Sequence, residues 1–320
     1  MTLGAARTLD AAHLAAARML RDGGIATPAL DARVLLCHAT GLSHERLIAH
    51  GRDPLLPEAA AHLAGYVARR LSGEPVSRIK GFREFYGREF RIDSDTLDPR
   101  PDTETLIGAT LGIVAEEGLG DRPLRLLDLG TGSGCILVTL LAELPLAEGI
   151  GTDLSAGALR LAGENAQRLG VEARARFVAA DWFTGLSGRF DLIVANPPYI
   201  PAEEIATLSP EVAGHDPRRA LDGGQDGLEA YRRIAARAVD FLAPGGHLVV
   251  EIGASQAQAV FRLFQASGLI LEADGVLFDL ARQPRCIHAE KPYGERAERR
   301  RNPKISLENR DAQGSFKAAN

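Results

Sequence analysis

The sequence predicts a doubly wound, mainly parallel α/β sheet behind a small N-terminal helical bundle. Three observations predict it. After Asp121, short apolar runs and helical segments alternate through most of the remaining chain, the pattern of strands joined by crossover helices. Before Gly73, apolar residues recur at helical spacing with little strand signal. Between these regions lies a stretch rich in aromatics and glycine. A length of 320 residues suits a mid-sized domain plus a smaller one. With 45% hydrophobic and 25% charged residues, a sizeable core is available.

In order along the chain, Thr8 can cap a helix in which Leu9, Leu14, Ala17 and Leu20 suggest one face, stopped by Gly23-Gly24. Pro28 opens a second helix carrying Leu30, Val34 and Leu35 and ending near Gly41. Ser43 can cap a brief third, with Glu45 in its first turn. Pro57 begins a fourth, with Leu63, Val67 and Leu71 along one side and Gly73 after its end. From Glu74 to Pro101, the aromatics Phe82, Phe85, Tyr86 and Phe90 around Gly87 suit two short strands, a hairpin linker. Pro99-Arg100-Pro101 is extended or turned, because each proline restrains the residue before it. Thr103 or Asp102 can then cap a helix through Leu106, Ile107, Leu111 and Val114.

The alternating part follows. Strands are expected at Leu124–Leu129, Gly149–Asp153, Arg176–Ala180, Phe190–Ala195 and His247–Ile252. Two late strands are expected near Leu271–Leu277 and Cys286–Ala289. Helices are expected at Cys135–Leu144, Ser155–Leu169, Leu228–Leu242 and Ser255–Ala266. From Lys291 the chain turns polar and basic, about +4 in net charge, which leaves the rest near −9 against a total of −5. A solvated, disordered tail is the plain expectation; an arm touching RNA or the ribosome is the sharper one.

Bulk properties narrow the function classes. A formal charge of −5 and a pI near 5.9 argue weakly against duplex DNA as the main ligand. Cys37, Cys135 and Cys286 have neither disulfide nor metal-ligand spacing, so no metal site is expected and a reducing compartment fits. Neither a spanning apolar run nor a signal peptide is apparent, so the expected location is cytoplasmic, with no membrane partner.

The first strand runs into Gly130-Thr131-Gly132-Ser133-Gly134 and then a helix. Glycines there let the backbone turn sharply and bring a ligand against N–H groups at the helix N-terminus. Pyrophosphate-binding loops want glycine or alanine where Cys135 stands, so this loop fits a shorter pattern starting at Asp128. A tight strand-to-helix turn is the plainer alternative. Asp153 ends the second strand, where a carboxylate can accept both ribose hydroxyls of a nucleoside; capping the following helix is the rival role. After the third strand, Asp181 could accept an adenine amino proton while Trp182 packs on the ring, or Trp182 could be plain core.

The sharpest feature is Asn196-Pro197-Pro198-Tyr199, directly after the fourth strand. Two prolines stiffen the turn and leave the Pro197 carbonyl free to accept. The Asn196 amide oxygen is a second acceptor, and Tyr199 offers a stacking face. Two acceptors held together suit an NH₂ group on a flat substrate. A proline-rich loop without chemistry is the bland alternative. If the sheet reverses between its first and fourth strands, the glycine loop and this turn emerge side by side, where open α/β sheets bind ligands.

Asp128-Leu129-Gly130-Thr131-Gly132-Ser133-Gly134 together with Asn196-Pro197-Pro198-Tyr199 resembles the amino-directed class I methyltransferases. Leu97-Asp98-Pro99-Arg100-Pro101-Asp102-Thr103-Glu104 and Ala220-Leu221-Asp222-Gly223-Gly224, followed by Asp226-Gly227-Leu228, narrow the likeness to the release factor glutamine N5-methyltransferases. The resemblance covers residues 1 to about 290. It implies a helical substrate-recognition domain over 1–73, a β-hairpin linker over 74–101, and a seven-stranded Rossmann-like methyltransferase domain over 102–290. It implies S-adenosylmethionine as cofactor, held by Gly130, Thr131, Gly132, Ser133, Gly134, Asp153, Trp182 and Asn196. The implied substrate is the glutamine of the Gly-Gly-Gln motif in class I peptide chain release factors, bound by Asn196, Pro197, Pro198 and Tyr199, with Asn196, Pro197 and Tyr199 catalytic. No direct nucleic-acid substrate is expected. One departure is Asp216-Pro217, where the family often has Glu-Pro.

The rivals are a base methyltransferase, since adenine and cytosine present a similar flat NH₂, and a ribosomal-protein glutamine methyltransferase with the same motifs. A cofactor-binding scaffold without catalysis and a nicotinamide oxidoreductase are more distant. Cys135 and the lack of an obvious hydride-transfer acid disfavour the last.

Overall fold

The computed structural model of the protein describes residues 6–272 and 275–293. From residue 294 onward, the expected tail lies outside the described residues.

Four helices open the chain: α1 (Leu9–Asp22), α2 (Pro28–Thr40), α3 (His44–Ala49) and α4 (Pro57–Leu71). Their ends follow local chemistry. Thr8 Oγ1 accepts from Ala11 N, Ser43 Oγ accepts from Arg46 N, and prolines occupy the first turns of α2 and α4. The bundle core holds Leu9, Ala12, Ala16, Leu20, Leu35, Leu36, Leu63 and Val67. Leu14, Leu30 and Leu71, expected on the inner faces, are instead exposed. Alanines at 12, 15 and 16 take the inner positions of α1 and let α2 approach closely.

A short helix the sequence reading lacked, α5 (Val76–Lys80), follows, and its Ile79 joins the bundle core. Strands β1 (Phe82–Phe85) and β2 (Arg88–Arg91) pair antiparallel across the turn at Gly87. The hairpin's Phe85 and Phe90 pack into the core of the large sheet. The segment from α5 to β2 therefore touches both cores.

Helix α6 (Glu104–Glu116) leads into β3 (Arg125–Leu129), α7 (Cys135–Glu143), β4 (Glu148–Asp153), α8 (Ala156–Arg168), β5 (Ala175–Ala179) and β6 (Phe190–Ala195). A six-residue helix, α9 (Pro210–His215), precedes α10 (Glu229–Phe241), β7 (Leu242–Glu251), α11 (Ala257–Ala266), β8 (Val276–Phe278) and β9 (Pro284–Glu290). The expected strand at Leu271–Leu277 shrinks to β8. The seven strands lie in the order β5-β4-β3-β6-β7-β9-β8. The first five are parallel, and β9 runs antiparallel to both β7 and β8.

Successive strand residues alternate between two apolar layers, as a sheet covered on both faces requires. Leu126, Leu192, Val194 and Val249 face the layer of α6 and α7. Leu127, Leu129, Ile193, Ala195, Leu248 and Val250 face α10 and α11. The order reverses where β3 is flanked by β4 and β6, with Leu129 beside Ala195. The loops after β3 and β6 therefore leave the sheet side by side, the condition set for a ligand crevice. Among the described residues no helix is long and apolar enough to cross a membrane.

Candidate functional site

Five parallel strands end along one edge, and each contributes to the same region. β3 leads to Gly130, β4 ends at Asp153, β5 precedes Asp181-Trp182, β6 precedes Asn196, and β7 ends at Glu251.

The loop after β3 is shaped by positive φ at Gly130, Gly132 and Gly134. At Gly134, which caps α7, an added Cβ would also stand 3.0 Å from Ala162 Cβ, so close helix packing requires glycine there. The loop is tied internally. Thr131 Oγ1 donates to Asp128 Oδ2 at 2.6 Å, and Thr131 N donates to Thr152 O at 2.8 Å. Burial pushes Asp128 up to about 7, and the Cys135 thiol up to about 12, so that thiol stays neutral.

Asp153 does not cap α8 but ties two strand ends together. Its Oδ2 accepts from Gly132 N at 3.0 Å and its Oδ1 from Ser155 N at 2.8 Å, joining the ends of β3 and β4. The cap of α8 is Ser155, whose Oγ accepts from Ala158 N. Each Asp153 oxygen retains an acceptor site for a hydroxyl. Asp181 accepts a bidentate pair from Arg233 at 2.8 and 3.0 Å. Trp182 stands at φ 56°, a left-handed conformation that is an outlier for a bulky residue and a common mark of a functional position.

These residues line a cavity of about 270 Å³. Gly130 to Ser133, Asp153, Trp182, Asn196 and Pro198 all border it, while Gly134 faces Ala162 instead. Arg100, Thr103, Arg219 and Arg233 border it as well, and the sequence reading gave none of them a role there.

A second cavity, of about 310 Å³, lies on the other side of Asn196. Leu97, Arg100, Pro101, Asp102, Asn196, Tyr199 and Glu251 line it, with Leu208, Val212 and Leu221. Asn196 and Arg100 thus border both spaces. The Asn196 amide is oriented from within. Its Nδ2 donates to Thr103 Oγ1 at 3.1 Å, which leaves Oδ1 for a ligand. Thr103 therefore does not cap α6 as expected; no side-chain cap is made there.

The Tyr199 end of the turn is held by Gln256, whose Nε2 donates to Tyr199 O at 2.9 Å and to Gly227 O at 3.1 Å. Tyr231 Oη and Gly253 N both donate to Gln256 Oε1, which fixes that amide in turn. The segment Leu221–Gly227 lies along the turn. Ile200 N donates to Leu221 O, and Gly223 N donates to Ile200 O. Glycine is required at two points here. A Cβ at Gly223 would meet Tyr199 Cα at 2.8 Å, and one at Gly227 would meet Tyr199 O at 2.4 Å. Burial pushes the Tyr199 phenol up to about 12, so it stays protonated.

The stretch Asp98–Glu104 secures the opposite wall. Asp98 accepts from Ser77, Asp102 pairs with Arg285 at 3.0 Å, and Glu104 Oε1 accepts from Tyr86 N at 3.0 Å. Asp216 accepts from Arg78 at 2.6 Å and from Arg100 at 2.5 Å, joining α5, the cavity wall and the chain after α9. Aspartate at this position reaches both arginines while itself 9% exposed.

Known proteins share this architecture in sequence. A family model described as the PrmC N-terminal domain matches residues 11–81, and one described as the methyltransferase small domain matches residues 117–210. A release factor glutamine methyltransferase from Cereibacter sphaeroides is 49% identical over 286 residues, 89% of this chain and 99% of the relative. One from Rhodospirillum rubrum is 48% identical over 272 residues, 85% of this chain and 82% of the relative. One from Bradyrhizobium diazoefficiens is 46% identical over 285 residues, covering 89% and 95%.

The chain belongs to the release factor glutamine methyltransferase family.

For a member of this family, the two cavities have a clear division of chemistry. The glycine loop, carboxylate and indole lie on one side of Asn196. The apolar slot ending in Tyr199 and Glu251 lies on the other. Gln256 and the part Thr103 plays at Asn196 escaped the sequence reading because they depend on contacts 57 and 93 residues away along the chain. Glu251, also missed, had a local signal, a carboxylate closing the apolar run Leu248–Val250.

Proposed function

We propose that the chain transfers a methyl group from S-adenosylmethionine to the side-chain amide nitrogen (N5) of the glutamine in the Gly-Gly-Gln motif of class I peptide chain release factors. The observation that carries this reading is Asn196, which borders both cavities with its amide oxygen left for a ligand.

The first cavity fits the cofactor on its own chemistry. Gly130 to Gly134 form a loop at a helix N-terminus, suited to the amino-acid end of the molecule. Asp153 keeps acceptor capacity for ribose hydroxyls, and Trp182 offers its ring to adenine. S-adenosylmethionine supplies an activated methyl on a sulfonium. Asn196 Oδ1, at the second cavity, and the carbonyl of Pro197, which follows it in the turn and lines neither cavity, accept the two hydrogens of the substrate NH₂. Among the described residues no hydrogen bond to the Pro197 carbonyl is made, so it is available. Tyr199 stacks on the planar amide.

An amide nitrogen is a weak nucleophile, because its lone pair is delocalised into the carbonyl. Two fixed acceptors polarise the N–H bonds and aim the nitrogen; orientation of this kind accounts for roughly 7–11 kcal/mol in well-aligned systems. The N–C bond forms as the S–C bond breaks, and the surplus proton on nitrogen passes to solvent. No side-chain base is required.

We further assign residues 1–73 to recognition of the protein substrate, 74–101 to a linker and 102–290 to catalysis. The cytoplasm is the proposed location, with no direct nucleic-acid substrate. Support comes from the acidic overall charge and from the separate core of the bundle. The test is transfer of labelled methyl to a purified class I release factor, with a Gln→Ala change in its Gly-Gly-Gln motif as control. Ribosomal protein and DNA are run alongside. Label on the native factor alone supports the assignment; label on DNA or ribosomal protein alone moves the substrate to a rival.

A further inference from the structure

Glu251 is 1% exposed, yet it is a carboxyl group at the end of an apolar strand. A buried carboxylate costs several kcal/mol unless its oxygens are occupied. Side-chain hydrogen bonds from Thr103 and Asn196 reach it, but its Oε2 has no hydrogen-bond partner within the protein. Glu251 also lines the second cavity together with Asn196 and Tyr199. An unsatisfied buried oxygen beside a cavity is expected to meet a ligand or water there.

The hydrogen-bond direction has a consequence for Asn196. The Thr103 hydroxyl accepts from Asn196 Nδ2 and must pass its own hydrogen onward. Glu251 is the acceptor that takes it. An asparagine amide turns whichever way its neighbours demand. A carboxylate can only accept, so it draws Nδ2 inward and turns Oδ1 outward.

We propose that Glu251 is the positioning residue that fixes the Asn196 amide with its oxygen toward the acceptor cavity. Its free oxygen then makes that cavity select an NH₂-bearing side chain over a carboxylate. This inference rests on the proposed function and deepens it. Asn196 does the contacting, and Glu251 decides which atom Asn196 presents.

The role depends on the charged form. Burial pushes the Glu251 carboxyl up to about 7. Below that value it carries a proton, and one oxygen becomes a donor that no longer favours the required amide orientation. The groups that face it are Arg285 and Cys286 on β9, Asp102 and Thr103 before α6, Tyr199 after β6, Tyr231 on α10 and Cys135 on α7. Burial raises both tyrosines and both thiols, which stay neutral near pH 7, and Asp102 is paired with Arg285. Asp128 is also pushed up to about 7, in the glycine loop, so the pH profile must be assigned by variant.

The experiment measures methyl transfer to a release factor at saturating S-adenosylmethionine from pH 6 to 8.5, for wild type and Glu251→Gln. Wild-type kcat should rise through an inflection near pH 7. Glu251→Gln should lose the inflection and fall about 10-fold in kcat at pH 8, with cofactor affinity kept. A factor carrying glutamate in place of the acceptor glutamine should compete poorly with wild type and better with Glu251→Gln. Thr103→Val should also lower kcat, and Thr103→Ser should restore it, which covers the case of a poorly folded Glu251 variant. An inflection that persists in Glu251→Gln, with kcat unchanged, overturns the proposal. If wild type labels no release factor at all, the functional reading fails instead.

Discussion

The two sides of Asn196 are built by different means. On the proposed cofactor side, the main chain does most of the shaping: a loop of three left-handed glycines, tied by Thr131 and Asp153 within a few dozen residues. On the proposed acceptor side, side chains from distant segments converge: Asp216, Glu251 and Gln256, with Thr103 reaching Asn196 from the wall of the first cavity. Main-chain shape is written in short motifs, because glycine and proline act on their own dihedrals. Converging side chains are written only in the tertiary fold. The cofactor side should therefore be insensitive to changes that wreck the acceptor side.

The largest expected effect is on the ionic junction of the acceptor wall. Asp216→Ala strands the buried Arg78 guanidinium. Losing one partner of such a pair should cost about 3–5 kcal/mol of unfolding free energy, read by denaturant titration. Next is Gly227→Ala, whose Cβ collides with the Tyr199 carbonyl. Moving the turn by part of an ångström should lower kcat about 100-fold, while calorimetric cofactor affinity changes little. The smallest is Arg233→Ala on the cofactor side. Its pair with Asp181 is half exposed, so cofactor affinity should shift by no more than about fivefold. A large kcat loss from Arg233→Ala, or a large affinity loss from Gly227→Ala, would break the division.

The same contrast explains what the sequence disclosed. The alternating strands and helices from Arg125 to Ala266 were legible because buried parallel strands read as apolar runs of characteristic length. That Gly130, Asp153, Trp182 and Asn196 meet at one cavity was legible because each lies at or just beyond the end of a strand whose neighbours are set by topology. Leu14 misled because alanines took the inner positions of α1, and helical periodicity cannot separate a small inner residue from a large outer one. Thr103 read as a helix cap from its local setting, but its hydroxyl serves Asn196 93 residues away. The glycines at 223 and 227 were noticed as a family pattern, while their reason, close approach to the Tyr199 backbone, required the fold.

The central claim is that Asn196 aims the substrate nitrogen. Single-turnover methyl transfer by Asn196→Ala, at saturating cofactor and release factor, tests it most directly. The account predicts a rate lower by on the order of 100- to 1000-fold, as when one preorganised hydrogen-bonding partner of a transition state is removed. Transfer at a near wild-type rate would contradict it.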